Sequence, residues 1–239
     1  MIQKIVLNNQ ASGQFNNGEI IENKPIGFPQ DGGLNYYSNI FYWAHATANT
    51  NSTIGLHPHR GFEIMTIVLK GNINHYDTLL NKWIKLKEGD IQLIKSGSGI
   101  SHAEMLEKNS EIFQIWFHPD LRVTLKQKPT YNDYDFKSFV ANQNVTTIVG
   151  KDSPVKLESE KIEVFKVELN ESTFQIECEN EYIYSIYITE GKLKIQQVGD
   201  VQKDDFIIVE NEKTVHIEVS ERGCLYYIKS PILPSYPTY

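Results

Sequence analysis

The apolar positions of this chain fall in short runs, not in long helical faces. Residues 64–69, 91–94, 112–117, 183–188 and 206–209 are rich in Ile, Val, Phe and Tyr. Turn-forming stretches such as Lys70-Gly71-Asn72 and Lys87-Glu88-Gly89-Asp90 separate them. β-Branched and aromatic side chains suit a pleated, half-buried surface, so the pattern predicts many short strands. No long segment carries a 3.6-residue apolar period, and short helices are expected only near 132–142. The expectation is an all-β sandwich or barrel.

The strands also repeat. Thr66-Ile67-Val68-Leu69-Lys70-Gly71 resembles Ser185-Ile186-Tyr187-Ile188-Thr189-Glu190-Gly191, each a strand ending in glycine. The segment 87–94 resembles 202–209, and Leu225-Tyr226-Tyr227-Ile228 falls where Phe113-Gln114-Ile115-Trp116 fell. Two similar β units fit a length of 239 residues. The polar stretch 143–160, which contains Pro154, is the expected join, giving domains 1–145 and 146–239.

Composition adds mainly exclusions. Apolar residues make up 40% and charged residues 22%, an ordinary globular mix. The net charge of −7 argues against direct binding of nucleic acid through bulk charge. Much of that excess is local: nine acidic residues and four lysines lie between Lys151 and Glu181, threaded with Phe165 and Phe174. This reads as a solvated surface and not as a disordered tail. Two cysteines, Cys178 and Cys224, are too few for a disulfide framework or a thiolate metal site. No apolar run is long enough for a membrane helix, and Met1-Ile2-Gln3-Lys4-Ile5 lacks a signal-peptide layout, so a cytoplasmic setting is expected.

The chemistry concentrates in His57-Pro58-His59-Arg60-Gly61-Phe62-Glu63 and in His102-Ala103-Glu104. Each holds a pair of ligand-type residues at i and i+2, which an extended strand points to one face. If the two strands are neighbours, three neutral imidazoles and one carboxylate converge, a set suited to a first-row divalent metal. Ser96-Gly97-Ser98-Gly99-Ile100-Ser101 precedes His102 and permits a tight backbone approach.

These residues resemble the pirin family. The resemblance rests on Gly55-Leu56-His57-Pro58-His59-Arg60-Gly61-Phe62-Glu63, the strand ending at Gly71, His75-Tyr76-Asp77-Thr78-Leu79-Leu80-Asn81, and Gly89-Asp90-Ile91-Gln92 followed by the segment 96–105. It runs strongly from about residue 55 to 118. It implies a bicupin, two cupin β-barrels in one chain, with a metal in the first held by His57, His59, His102 and Glu104. The metal it implies is most often iron, Fe(II), with other first-row metals as alternatives. Some members show quercetin 2,3-dioxygenase activity, which implies a small aromatic substrate such as a flavonol, with Glu104 as the catalytic proton acceptor. Others are described as redox-sensitive regulators, which implies a protein partner instead of turnover. A metal-independent cupin that binds a small molecule is a third reading. The chain departs from the family pattern at Leu79-Leu80 before Asn81, and in the segment 39–49, which tends to border the pocket.

Plainer roles compete with these. Arg60 and Glu63 pair at the barrel mouth, or Glu63 orients a ligand from behind; the second is favoured. His45, His75 and His118 have no spaced partner and read as surface or structural residues. Trp43, Trp83 and Trp116 read as core or strand-pair residues before substrate contacts. In the second unit, Glu177, Glu179, His216 and Glu218 fall near the positions of the four ligands. Phe174, Ile176 and Cys178, and likewise Val215, Ile217 and Val219, form the apolar faces, so these polar residues are expected to face solvent and the second unit to hold no metal.

Overall fold

The computed structural model of the chain describes residues 1–238, with Glu171 and Ser172 described by backbone alone. Twelve strands lead up to residue 134: β1 Ile2–Ile5, β2 Ala11–Phe15, β3 Ile20–Ile26, β4 Ile40–Ala48, β5 Ser52–His59, β6 Glu63–Lys70, β7 Asn72–Asp77, β8 Trp83–Lys87, β9 Ile91–Lys95, β10 Ile100–Leu106, β11 Glu111–Phe117 and β12 Thr130–Tyr134. Eight follow: β13 Ala141–Asn142, β14 Val145–Val149, β15 Glu163–Glu177, β16 Tyr182–Glu190, β17 Lys192–Ile195, β18 Gly199–Gln202, β19 Phe206–Glu210 and β20 Thr214–Pro231. Where helix was expected near 132–142, β12 continues to Tyr134 and a single 3₁₀ turn follows at Phe136–Ser138. The α-helical turn lies earlier, at Leu121–Thr124, where Asp120 caps it by accepting from the Arg122 backbone N–H. Among the described residues, no helix is long and apolar enough to cross a membrane.

Two compact units result. One comprises Gln10–Ser138 with Tyr236–Tyr239, the other Met1–Asn9 with Phe139–Ser235. This division differs from 1–145 and 146–239 at both ends. β1 pairs along its whole length with β19, which carries the first nine residues into the second unit. β1 is also too short and polar for its partner to be read from pattern alone.

In the unit formed by Gln10–Ser138, a seven-stranded sheet has the order β12-β9-β6-β11-β4-β3-β2, and a four-stranded sheet has the order β5-β10-β7-β8. All pairings are antiparallel. Ile20, Ala46, Val68, Ile73, Leu86, Leu106 and Ile112 from both sheets form one buried cluster. Burying an aliphatic side chain of this size contributes about 1.5–3 kcal/mol. β5 is the edge of its sheet, where Pro58 is tolerated without loss of a central ladder bond.

The other unit repeats the plan. Its main path is β1-β19-β16-β20-β15-β14-β13, with β17 pairing β18 and β20. Ile186, Ile188, Leu193, Ile207, Val215, Ile217 and Leu225 belong to its core.

Candidate metal centre

The candidate ligands stand on β5 and β10, which are hydrogen-bonded neighbours. His57 lies directly opposite His102, and Ile100 opposite His59. Alternation then places His57, His59, His102 and Glu104 on one face. The register shifts between His102 and Glu104, because Glu104 lies opposite Ile54. β5 thus carries one extra residue beside Gly55, and such a bulge re-aims the side chains next to it.

The three imidazoles meet. Ring centroids are 4.8 Å apart for His57–His59, 4.4 Å for His57–His102 and 4.8 Å for His59–His102. One ring nitrogen from each lies within 4.8 Å of the others. His57 Nδ1 donates to the Gly55 carbonyl at 2.8 Å. That bond fixes the tautomer and leaves the Nε2 lone pair for a ligand.

Both ring nitrogens of His102 and Nε2 of His59 are buried without a hydrogen-bond partner among the described residues. Burial, reinforced by the neighbouring histidines, pushes His59 and His102 down to about 3. At neutral pH these rings are therefore uncharged and carry free lone pairs. An unsatisfied buried polar group costs about 1–3 kcal/mol. Several of them aimed at one point fit a cation that would satisfy them together.

Glu104 is fully buried. Thr66 Oγ1 donates to Oε1 at 3.5 Å, and Gln114 Nε2 donates to Oε2 at 2.7 Å. No lysine or arginine pairs with it among the described residues. A buried carboxylate facing neutral imidazoles, with no cationic side chain, fits a bound metal ion for the same reason. Glu104 does not join the three histidines in a single 4.8 Å group; it forms a second group with His75 and His102. His75 is a poor ligand as it stands. Its Nε2 is 2.8 Å from Asp77 Oδ2, and its Nδ1 is 3.0 Å from Gln92 Nε2.

A polar row behind the site had not been singled out in the sequence. Gln92, Thr66 and Gln114 lie opposite one another across β9, β6 and β11. Gln92 holds His75, Thr66 and Gln114 hold Glu104, and Trp116 Nε1 donates to Gln114 Oε1 at 3.0 Å. The available signal was a polar residue at the inward phase of three otherwise apolar strands.

The plainer expectations divide. Glu63 stands on the opposite face of β6 from Thr66 and is within 3.9 Å of Lys95, so it does not orient a ligand. His45, His75 and His118 are buried, and the surface reading fails for all three. His45 sits 3.2 Å from Glu111, and His118 Nδ1 is 3.0 Å from the Pro119 carbonyl. Trp43 is core, and Trp83 is half-exposed beside Tyr76. Trp116 packs on His59 with centroids 4.8 Å apart. In the second unit Val215, Ile217 and Val219 are buried while Glu177, Glu179 and Glu218 are exposed. His216 Nδ1 accepts sideways from Gln175 Nε2 at 2.8 Å.

A cavity of about 410 Å³ opens onto His57, Glu104 and Gln114. Phe28, Tyr42 and Trp116 form an aromatic wall, with Tyr42 and Trp116 centroids 4.7 Å apart. Phe15, Ile54 and Ile112 add an apolar one. The size and lining suit a small, flat organic ligand.

Comparison with known proteins agrees with this architecture. The family pattern described as Pirin matches residues 34–117. A protein of Escherichia coli named quercetin 2,3-dioxygenase is 26% identical over 206 residues, covering 80% of this chain and 86% of its own length. The crystal structure of YhhW from Escherichia coli superimposes with a TM-score of 0.82 at 21% identity, covering 100% of both chains. A structure of bacterial pirin YhhW in complex with nickel(II) gives a TM-score of 0.82 at 19% identity, covering 97% of this chain and 99% of that one. A sequence motif on β5 and β10, a doubled cupin architecture and these relatives converge: residues 34–117 match the pirin pattern, and the chain as a whole has the bicupin fold of the bacterial pirin structures.

Proposed function

We propose that this chain is a metal-dependent dioxygenase acting on a flavonol-like aromatic substrate, with Fe(II) held by His57, His59, His102 and Glu104. The observation that carries the reading is the set of buried, unpartnered ring nitrogens on His59 and His102 beside a buried carboxylate. A relative named for quercetin 2,3-dioxygenase activity and a related structure holding nickel(II) support it. Bound there, Fe(II) supplies Lewis acidity toward a substrate hydroxyl and the redox chemistry needed for dioxygen.

The chain's own groups do the rest. His57 offers Nε2 because Gly55 holds its Nδ1–H. Glu104 takes the hydroxyl proton of the substrate at a carboxylate oxygen, and Gln114 and Thr66 hold that carboxylate in place. The aromatic wall of Phe28, Tyr42 and Trp116 lays a flat ring beside the ligand set and excludes water. In the overall reaction dioxygen opens the central ring of the flavonol and carbon monoxide leaves.

The test is elemental analysis and oxygen-electrode measurement on one sample. One metal per chain together with oxygen uptake on addition of a flavonol is the expected result. Metal-loaded protein that consumes no oxygen with any flavonol removes the dioxygenase reading.

A further inference from the structure

The cavity beside the metal centre has a second polar end, which the proposed reaction does not use. Glu22 and Lys24 line it from β3, two positions apart. Gly13 lies opposite Glu22 on β2. A Cβ at Gly13 would sit 2.7 Å from Glu22 Oε2 and 2.8 Å from Lys24 Cε, so the missing side chain makes room for both charged ones. Lys24 is only 9% exposed, and its Nζ lies 3.0 Å from Asp31 Oδ2. The Tyr42 hydroxyl donates to Glu22 Oε1 at 3.2 Å. Burial raises the Glu22 carboxyl, and Lys24 pulls it the other way.

This end is built and has acceptor capacity to spare. The ammonium of Lys24 is paired with Asp31, and it acts on Glu22 only through its charge. A carboxylate offers about four acceptor sites, and Tyr42 fills one on Glu22. A hydroxyl group arriving here finds an acceptor, while a carboxylate finds its own charge repeated. Tyr42 belongs both to the aromatic wall and to this end, so a flat ring along the wall carries its substituents toward Glu22.

We propose that Glu22 determines specificity: it accepts a hydrogen bond from a hydroxyl on the part of an aromatic ligand remote from the metal, so the site selects polyhydroxylated rings over unsubstituted or carboxylated ones. The inference rests on the metal-centred reading of the same cavity.

Equilibrium binding to the full chain loaded with nickel(II), under argon so that nothing turns over, tests it. The probes are 3-hydroxyflavone, quercetin, and 3-hydroxyflavone with a carboxylate on its outer ring, followed by the shift of the flavonol absorption band. Quercetin is expected to bind about tenfold or more tightly than 3-hydroxyflavone, and the carboxylated probe weakest, as for a charge-assisted hydrogen bond gained or lost. Glu22→Leu should reduce the preference of quercetin over 3-hydroxyflavone to less than about threefold while the chain keeps its nickel. If that variant does not fold, Glu22→Gln decides: a preference cut at least threefold supports the assignment, and an undiminished one overturns it. A carboxylated probe that binds as tightly as quercetin also overturns it, and transfers the role to Lys24. Binding of neither flavonol overturns the inference and the substrate class together. Discrimination without oxygen uptake keeps Glu22 as the reader and removes only the dioxygenase reading.

Discussion

At the residue scale, the site depends on how few bonds its groups make with the protein. His102 has both nitrogens sealed from water and from every hydrogen-bonding partner among the described residues. His75, one strand over, has both of its nitrogens engaged. That difference separates a candidate ligand from a supporting residue where burial alone does not, since both rings are fully buried. The sequence carried the first part of this: two pairs at i and i+2 read directly as one-faced ligand sets. It did not carry the support, because Gln92, Thr66 and Gln114 are ordinary residues whose importance lies in cross-strand register. Gln114 offers the sharpest check. Gln114→Leu removes the 2.7 Å donor to Glu104 and leaves a buried oxygen unsatisfied. The expected cost is about 1–3 kcal/mol of stability, with metal affinity lowered about 10–100-fold. Denaturation midpoints and a metal titration read the two effects, and unchanged affinity would show that Gln114 does not set the carboxylate.

At the element scale, the repeat that was faint in sequence is plain in topology. β6, β11 and β9 hold the same relative places in one sheet as β16, β20 and β19 in the other. Gly71 and Gly191 end the matching strands, with φ of 75° and 86°. Such turns are legible because a left-handed backbone strongly favours glycine. The lengths of β15 and β20 were not legible. Ser220-Glu221-Arg222-Gly223 has the composition of a turn, yet β20 runs unbroken from Thr214 to Pro231, with a register shift opposite it between Asn170 and Ser172. Phase also decides which unit carries a site. His216 lies opposite Gln175 as His102 lies opposite His57, but His216 alternates with buried Val215 and Ile217 and so points away from the core. Gly191→Ala tests the shared hairpin. A Cβ there would lie 2.2 Å from the Arg222 carbonyl oxygen at a positive φ. A loss of about 1–3 kcal/mol in chemical denaturation is expected, and a midpoint unchanged from the parent would contradict the tight approach.

At the scale of the whole molecule, two units of one design have diverged in what their inner faces carry. The unit formed by Gln10–Ser138 lines a cavity with the His57 imidazole, carboxylates and aromatic rings. The inner face of the other is Ile, Val and Leu with Tyr184 and Tyr227 among them, and it presents no matching set of ligand-type side chains among the described residues. The acidic excess follows the same division: the charge-rich stretch from Lys151 to Glu181 belongs to the second unit, so the net charge of −7 says little about the ligand site. Two β units were legible from the repeat, but the placement of β1 with β19 was not, since that pairing joins residues about two hundred positions apart. On the proposed reading, β5 and β10 of one unit hold a single metal ion. Metal content measured on the parent chain and on His57→Ala, His102→Ala and His216→Ala checks this. One metal per chain in the parent and in His216→Ala, with loss in the other two, is the predicted result; a full complement of metal in His102→Ala would contradict it.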